Sequence, residues 1–243
     1  MADLITGRNA VLEALKSGRN IDKITIQKTD GQHSGPIKQI IAKAKERKIP
    51  VYYSDKAHMD KTPDHHGVIA VASDFEYAQI DDMLKLAQER GEKPLLVILD
   101  GIEDPHNLGA IMRTAECAGA HGIIIPKRHS VSVNETVLKT SAGAAEYMLC
   151  ARVTNISATI DELKDKGIWI YACDMGDGLI YDQDLTGPMA VVIGSEGFGI
   201  SRLVREKCDF ITSIPMKGKI TSLNASNAAA ILMYEVLRQR DGK

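Results

Sequence analysis

The sequence predicts an α/β protein: an open, mostly parallel, doubly wound sheet domain preceded by a smaller α/β module. Three observations lead there. Leu95 to Leu99 (LLVIL) is an unbroken apolar run, the pattern of a strand covered on both faces of a parallel sheet. From that run to the C-terminus, strand-like runs alternate with stretches of helical period, the pattern of successive βαβ units. Upstream, the stretch from about Ser73 to Lys93 (SDFEYAQIDDMLKLAQERGEK) is charged and carries one short helical pattern. It reads as a joint, so the chain divides into residues 1–75, a linker at 76–93 and a sheet domain at 94–243.

Each element follows from local pattern. In the first module, Asn9 to Leu15 places Ala10, Val11, Ala14 and Leu15 at helical spacing, and Ile21 to Gln27 alternates isoleucine with polar residues as a strand does. Ile37 to Lys48 reads as a helix with Ile37, Ile40, Ile41 and Ala44 on one face and Lys38, Lys43, Lys45, Arg47 and Lys48 elsewhere; Pro50 ends it. Val51 to Tyr53 and Val68 to Ala72 are short strands. In the second part, a helix at Leu108 to Ala118 follows the first apolar run, then a strand at Ile123 to Ile125 and a loop-rich stretch to Ala145. An extended segment at Met148 to Val153, a helix at Ile156 to Lys166, and strands at Ile168 to Ala172 and Val191 to Ile193 come next. A short helix at Ser201 to Lys207, a strand at Phe210 to Ile214 and a long helix at Ser226 to Arg240 complete the pattern.

Composition narrows the class. A hydrophobic fraction of 44% in 243 residues allows a sizeable core. No apolar run approaches the roughly 20 residues of a membrane span, and MADLITGRNAVLEALKSG lacks the basic-then-apolar order of a signal peptide. A cytoplasmic protein without membrane association is expected. Cys117, Cys150, Cys173 and Cys208 are far apart and form no CxxC pair, so they are expected to be buried free thiols rather than zinc ligands. The net charge of −2 exerts no global pull on polyanions. It is uneven, however. Residues 1–75 hold 12 Lys and Arg against 9 Asp and Glu, and residues 76–243 hold 18 against 23, so balances of +3 and −5 make up the total. A mildly basic first module suits contact with a polyanion.

In a doubly wound sheet the ligand site lies beyond the carboxyl ends of the strands. Three segments just after predicted strands are rich in polar residues and glycine: Asp100 to Arg113 (DGIEDPHNLGAIMR), Gly194 to Ser201 (GSEGFGIS) and Pro215 to Asn227 (PMKGKITSLNASN). The glycines at 194, 197 and 199 reverse the G-x-G-x-x-G dinucleotide spacing, and the loop lacks the closing Lys-Ser/Thr of a P-loop. Glu196 within it would repel a pyrophosphate. Tight turns with a carboxylate suit an adenosyl ligand bearing a positive sulfonium and no phosphates, although plain turns with a solvated Glu196 would look the same. Asn107 is expected to cap the following helix. Arg113 stands on an otherwise small and apolar helix, where its fork would suit a phosphate near the strand ends. Ser222, Asn224, Ser226 and Asn227 exceed what a single N-cap needs. The last helix is apolar around most of its circumference, so it is expected to be buried on two sides, one of them against a second subunit.

Together, LDGIEDPHNLGAIMRTAECAGA, VVIGSEGFGIS and IPMKGKITSLNASNAAAILMYEVLRQR resemble, in order and spacing, the three motifs of the SpoU/TrmH (SPOUT) family of RNA 2′-O-ribose methyltransferases. The resemblance runs from about Pro94 to the C-terminus. GRNAVLEAL and HHGVIAVAS in the first module resemble the substrate-binding extension of RlmB-like members, which modify a guanosine in 23S ribosomal RNA. The resemblance implies a SPOUT domain with a deep trefoil knot that binds bent S-adenosylmethionine, a homodimer with its active site near the subunit boundary, and no metal. Nothing in the periodicity indicates a knot. Carried over by position, it implies a catalytic and substrate-binding set of Asn107, Arg113, Glu196, Ser222 and Asn224, and a donor held against Gly194, Ile214, Met216 and Leu223. Ser195 stands where many relatives have Asn.

The resemblance gives the site residues roles. Arg113 would stabilise the developing ribose alkoxide, Glu196 would hold the glycine turn and Arg113, and Asn107, Ser222 and Asn224 would orient the ribose and the loops. Three other readings compete. The reversed glycine spacing disfavours a nicotinamide-dependent oxidoreductase. The presence of all five polar residues disfavours a catalytically inactive RNA-binding protein. A tRNA (guanosine-2′-O)-methyltransferase differs only in its substrate. Arg8, Asn9 and the basic face of residues 37–48 are candidate RNA contacts, while His65 and His66 are expected to form a turn.

Overall fold

In this computed structural model, which describes residues 3–29, 35–72, 75–176 and 178–242, the chain separates into two units, Met1–Glu76 and Tyr77–Lys243. The first contains β1 (Asp3–Thr6), α1 (Arg8–Lys16), β2 (Ile21–Gln27), α2 (Gly35–Glu46), β3 (Val51–Ser54), α3 (Lys56–Met59) and β4 (Val68–Ala72). Its sheet runs β1-β4-β2-β3, with β4 antiparallel to both neighbours and β2 parallel to β3. Val11 and Leu15 of α1 and Ile37, Ile40 and Ala44 of α2 pack on Ile24, Ile26, Val68 and Ala70. β1 and α3, four residues each, have no counterpart in the elements expected from the sequence.

Two details revise the expected basic surface. The Arg47 guanidinium is committed to the protein: it donates to the carbonyls of Leu15, Gly18 and Arg19 at 3.0, 3.0 and 2.8 Å, satisfying the C-terminal end of α1. His65 does form a turn. Its Nδ1 accepts the Gly67 N–H at 2.9 Å and its Nε2 lies 3.0 Å from Asp60 Oδ1, while Asp64 and His66 hold positive φ on either side.

The second unit begins with α4 (Ile80–Arg90), inside the stretch that reads as a joint; Ser73 and Asp74, where that stretch opens, lie outside the described residues. Met83 and Ala87 of α4 are buried, and Met83 lies so close to Gly122 that a Cβ there would stand 2.2 Å from its sulfur. Next come β5 (Leu95–Asp100), α5 (Pro105–Cys117), β6 (Gly122–Pro126), α6 (Glu135–Thr140), β7 (Cys150–Val153), α7 (Ile156–Asp165), β8 (Trp169–Cys173), β9 (Met189–Gly194), α8 (Arg202–Lys207), β10 (Phe210–Thr212) and α9 (Ala225–Arg240). The six strands are parallel throughout, in the order β10-β8-β9-β5-β6-β7. Leu95 to Leu99 are buried at every position, as a central strand with both faces covered requires.

This order creates the site. β5 and β9 are neighbours, yet the chain leaves β5 toward β6 and leaves β9 over β8 toward β10. Loops departing in opposite directions open a crevice at the carboxyl ends of these two strands, the switch point where open α/β sheets bind ligands.

Among the described residues no helix is long and apolar enough to cross a membrane. All four cysteines are free. Burial pushes the Cys150 and Cys208 thiols up to about 12, and burial with the Asp174 charge pushes Cys173 up to about 11. Of the four, Cys150 alone is fully buried as expected; Cys173 and Cys208 are half-buried, and Cys117 is exposed in the last turn of α5, four residues after Arg113 and on the same face.

His121 is a buried acceptor, 1% exposed. Its Nδ1 takes the Leu95 N–H at 3.1 Å, so Nε2 carries the proton and donates to Glu92 at 2.9 Å. Burial holds its pKa below the ordinary 6.5, with Glu92 opposing. The unfolded chain therefore takes up this proton more readily than the folded one. The stability contribution is complete above about pH 6.5 and is lost as pH falls below that value. The melting temperature should drop between pH 7.5 and 5.5 in circular dichroism scans, and the drop should be smaller in His121→Asn; identical slopes would refute the assignment.

Candidate active site

Helix α5 opens at Pro105, whose fixed φ suits the first helical position, and its N-cap is Asp104, which accepts the His106 N–H at 2.9 Å. The cap is thus three residues earlier than expected, and Asn107 is free for other work. Asn107 is 6% exposed, and its amide donates to Glu196 Oε1 at 2.7 Å. Asn224 donates to the same oxygen at 2.6 Å and to Asn107 Oδ1 at 2.9 Å. The other side of the Asn224 amide caps α9: Oδ1 accepts from the backbone of Ser226 and Asn227 at 2.9 and 3.3 Å. One residue therefore starts a helix with its carbonyl and joins two distant loops with its NH2.

The loop after β9 closes on itself. Ser195 and Gly199 exchange backbone hydrogen bonds of 3.2 and 2.8 Å, and Asp100 Oδ2 at the end of β5 accepts the Ser201 N–H at 2.7 Å. Gly194 lies under this turn. A Cβ there would stand 2.2 Å from the Gly199 carbonyl carbon and 2.4 Å from Ile200 N, both rigid backbone atoms.

A cavity of about 750 Å³ opens at these carboxyl ends. Gly194, Ile214, Met216 and Leu223 line it, with Glu196 and Ser222. Asn107 and Asn224 stand beside it through their bonds to Glu196. Arg113 is not part of this arrangement. It is exposed nearly two turns after Asn107 along α5, makes no hydrogen bond or ion pair among the described residues, and does not line the cavity. Glu196 accordingly holds Asn107 and Asn224 rather than Arg113.

A fourth loop contributes that sequence reading passed over. Cys173, Asp174, Met175 and Gly176, at the end of β8, form another wall. Asp174 is tied to Arg205 at 2.8 Å, and the Ser213 hydroxyl donates to the Gly176 and Gly178 carbonyls, both at 3.1 Å. The signal was the one used for the other three: polar residues and glycine directly after a predicted strand.

The sequence model of the SpoU rRNA Methylase family matches residues 94–234, and one for RNA 2′-O ribose methyltransferase substrate binding matches residues 4–78. YacO of Bacillus subtilis (strain 168), of the TrmH family of tRNA/rRNA methyltransferases, is 48% identical over 242 residues, covering 98% of this chain and 96% of that protein. The chain belongs to the SpoU family of RNA methyltransferases. A TrmH family relative in Staphylococcus haemolyticus (strain JCSC1435) is 46% identical over 240 residues, covering 98% and 96% of the two chains. Among solved structures, the SpoU methyltransferase AviRb from Streptomyces viridochromogenes, in complex with AdoMet, superposes with a TM-score of 0.63 at 26% identity, covering 99% of this chain and 91% of its own. The A. aeolicus TrmH/SpoU tRNA modifying enzyme has a TM-score of 0.57 at 29% identity and covers 67% of this chain and 84% of its own.

The cavity suits the donor of a SpoU methyltransferase, S-adenosylmethionine. Ile214, Met216 and Leu223 offer apolar surface for an adenine, Asp174 and Glu196 supply negative charge for a sulfonium, and Gly194, lacking a side chain, lets the turn at Gly199 and Ile200 close over the end of β9. Among the described residues no group of three or more His, Cys, Asp or Glu is placed to hold a metal.

Two predictions test this construction. Gly194→Ala must displace the Gly199–Ile200 backbone, so S-adenosylmethionine affinity measured by calorimetry should fall by about tenfold or more. Asn107→Asp sets a carboxylate against Glu196, where Asn107→Ala only removes the hydrogen bonds to Glu196 and Asn224. The Asp variant should melt lower than the Ala variant at pH 7.5, and the gap should narrow toward pH 5 as one carboxylate takes a proton; a gap independent of pH would contradict the geometry.

Proposed function

We propose that this SpoU methyltransferase modifies the 2′-hydroxyl of a guanosine in 23S ribosomal RNA, working as a cytosolic homodimer with a knotted C-terminal domain. The observation that carries the reading is the hydrogen-bonded set of Asn107, Glu196 and Asn224 beside a cavity lined by Gly194, Ile214, Met216 and Leu223. The N-terminal unit, matched by a substrate-binding family model, supports a large structured RNA as substrate. The tRNA modifying relative from A. aeolicus leaves a third of this chain without a counterpart, which weighs against the tRNA alternative.

When bound, S-adenosylmethionine supplies an electrophilic methyl group. A ribose hydroxyl is a weak nucleophile at neutral pH, so the protein must favour loss of its proton and stabilise the oxygen charge that develops. Arg113 takes the second task, together with the substrate phosphate, because a guanidinium keeps its positive charge. Its exposed place on α5, away from the cavity lining, supports an approach to the ribose across a subunit boundary. The uncovered part of α9, with Tyr234 at 49% exposure, supports the same dimer face. Asn107 and Asn224 hold the loops through Glu196, and Ser222 on the cavity wall orients the ribose.

Mapping ribose methylation in cellular RNA with and without the gene should show loss of one methyl group in 23S ribosomal RNA. Loss in tRNA alone would transfer the assignment to the tRNA alternative. Single-turnover methylation by Arg113→Ala should slow by roughly a hundredfold or more, whereas near-normal turnover would remove Arg113 from the reaction.

A further inference from the structure

The cavity mouth is edged by apolar side chains that face solvent. Phe198 is 96% exposed, Ile220 75%, Met175 71% and Met216 39%, and all four belong to the cavity lining. Phe198 does not hang from a loose segment. It sits inside the turn closed by the paired Ser195 and Gly199 backbone bonds, and its own N–H lies 3.4 Å from Ser195 Oγ. Charge around this mouth is sorted. The lining includes two carboxylates, Asp174 and Glu196, and no lysine; Lys217 and Lys219 stand exposed on either side of the lining residue Gly218 and make no hydrogen bond or ion pair among the described residues.

An exposed aromatic ring on a hydrogen-bonded turn, at the mouth of a cavity that also carries exposed cations, is the combination by which proteins grip single-stranded nucleic acid: bases stack on the ring and phosphates meet the cations. The chemistry requires the same substrate geometry. A 2′-hydroxyl must come close to a methyl donor inside a recessed cavity, which a nucleotide stacked within a helix cannot do without leaving its neighbours. Its departure exposes the face of an adjoining base, and a ring at the mouth can replace the lost stacking partner.

We infer that the rim formed by Phe198, Ile220, Lys217 and Lys219 is a clamp for single-stranded RNA flanking the target nucleotide. Phe198 stacks on a neighbouring base, Ile220 packs against that base, and the two lysines take the adjoining phosphates. The inference rests on the RNA methyltransferase reading above and adds to it that the target lies in, or is pulled into, an unpaired segment.

The test uses the full-length protein and a fluorescein-labelled 12-nucleotide single-stranded RNA, alone and annealed to its complement, followed by fluorescence anisotropy. Phe198→Ala should weaken single-strand binding roughly tenfold or more, and Phe198→Trp should restore it. Lys217→Ala with Lys219→Ala should flatten the dependence of log affinity on log salt by about 1.4, at roughly 0.7 per phosphate contact on a single strand. Binding of the duplex should change little in any of these variants. Unaltered single-strand affinity in Phe198→Ala, with the fold verified by circular dichroism, would overturn the clamp. So would a change in oligomeric state of that variant in the analytical ultracentrifuge, which would make the rim a contact between copies of the chain. The binding measurement requires no turnover, so it can fail while methylation of 23S RNA is found, and can succeed where that assignment fails.

Discussion

The carboxyl end of the second sheet depends on three polar side chains binding one another. Asn107, Glu196 and Asn224 are separated by 89, 28 and 117 residues pairwise, and each comes from a segment that follows a different strand. Bringing such distant segments together costs chain entropy, and the bonds that hold them must offset it. A carboxylate accepting from two amides is a stronger fastening than neutral pairs would make. It is also an interdependent one, because removing any member strands the partners of the others near a partly buried site.

The parts of the fold legible in the sequence were those with enough length to show a period. Leu95–Leu99 identified the central strand, and the spacing within α1, α2, α7 and α9 placed those helices within a few residues of where they lie. β1 and α3 were not read, although β3, equally short, was. β1 is strand by virtue of its pairing with β4, a long-range partnership that local sequence does not encode. α6 was absorbed into a loop, although α8, equally short, was read as a helix.

The site was legible as a set of loops and less so as geometry. Glycine and polar residues after strands pointed to the three motif segments, and Gly194, Ile214, Met216 and Leu223 from two of them line one cavity. Asn107 looked like a cap because asparagine favours caps; Pro105 moved the helix start upstream and left Asn107 inside it, where its amide turns to Glu196. Arg113 looked close to the strand ends because it stands near the start of an otherwise small and apolar helix, but six residues along a helix from Asn107 amount to about 9 Å and turn the side chain to another face. The net charge of −2 likewise concealed a local arrangement, with carboxylates inside the cavity and lysines outside it.

Helix α9 has a mechanical consequence. Its first turn is tied to Asn107 and Glu196 beside the cavity by Asn224, while Arg240 at its far end donates to the carbonyls of Lys93, Pro94 and Gly187, where the chain is about to enter β5 and β9. Sixteen residues of α-helix span about 24 Å, so one rod is clasped at both ends to the same pair of strands. Such a strut sets the distance between the floor of the sheet and the rim that opens onto the cavity. Trimming the final few residues would therefore loosen the rim from the opposite side of the domain, without touching any group that meets a ligand.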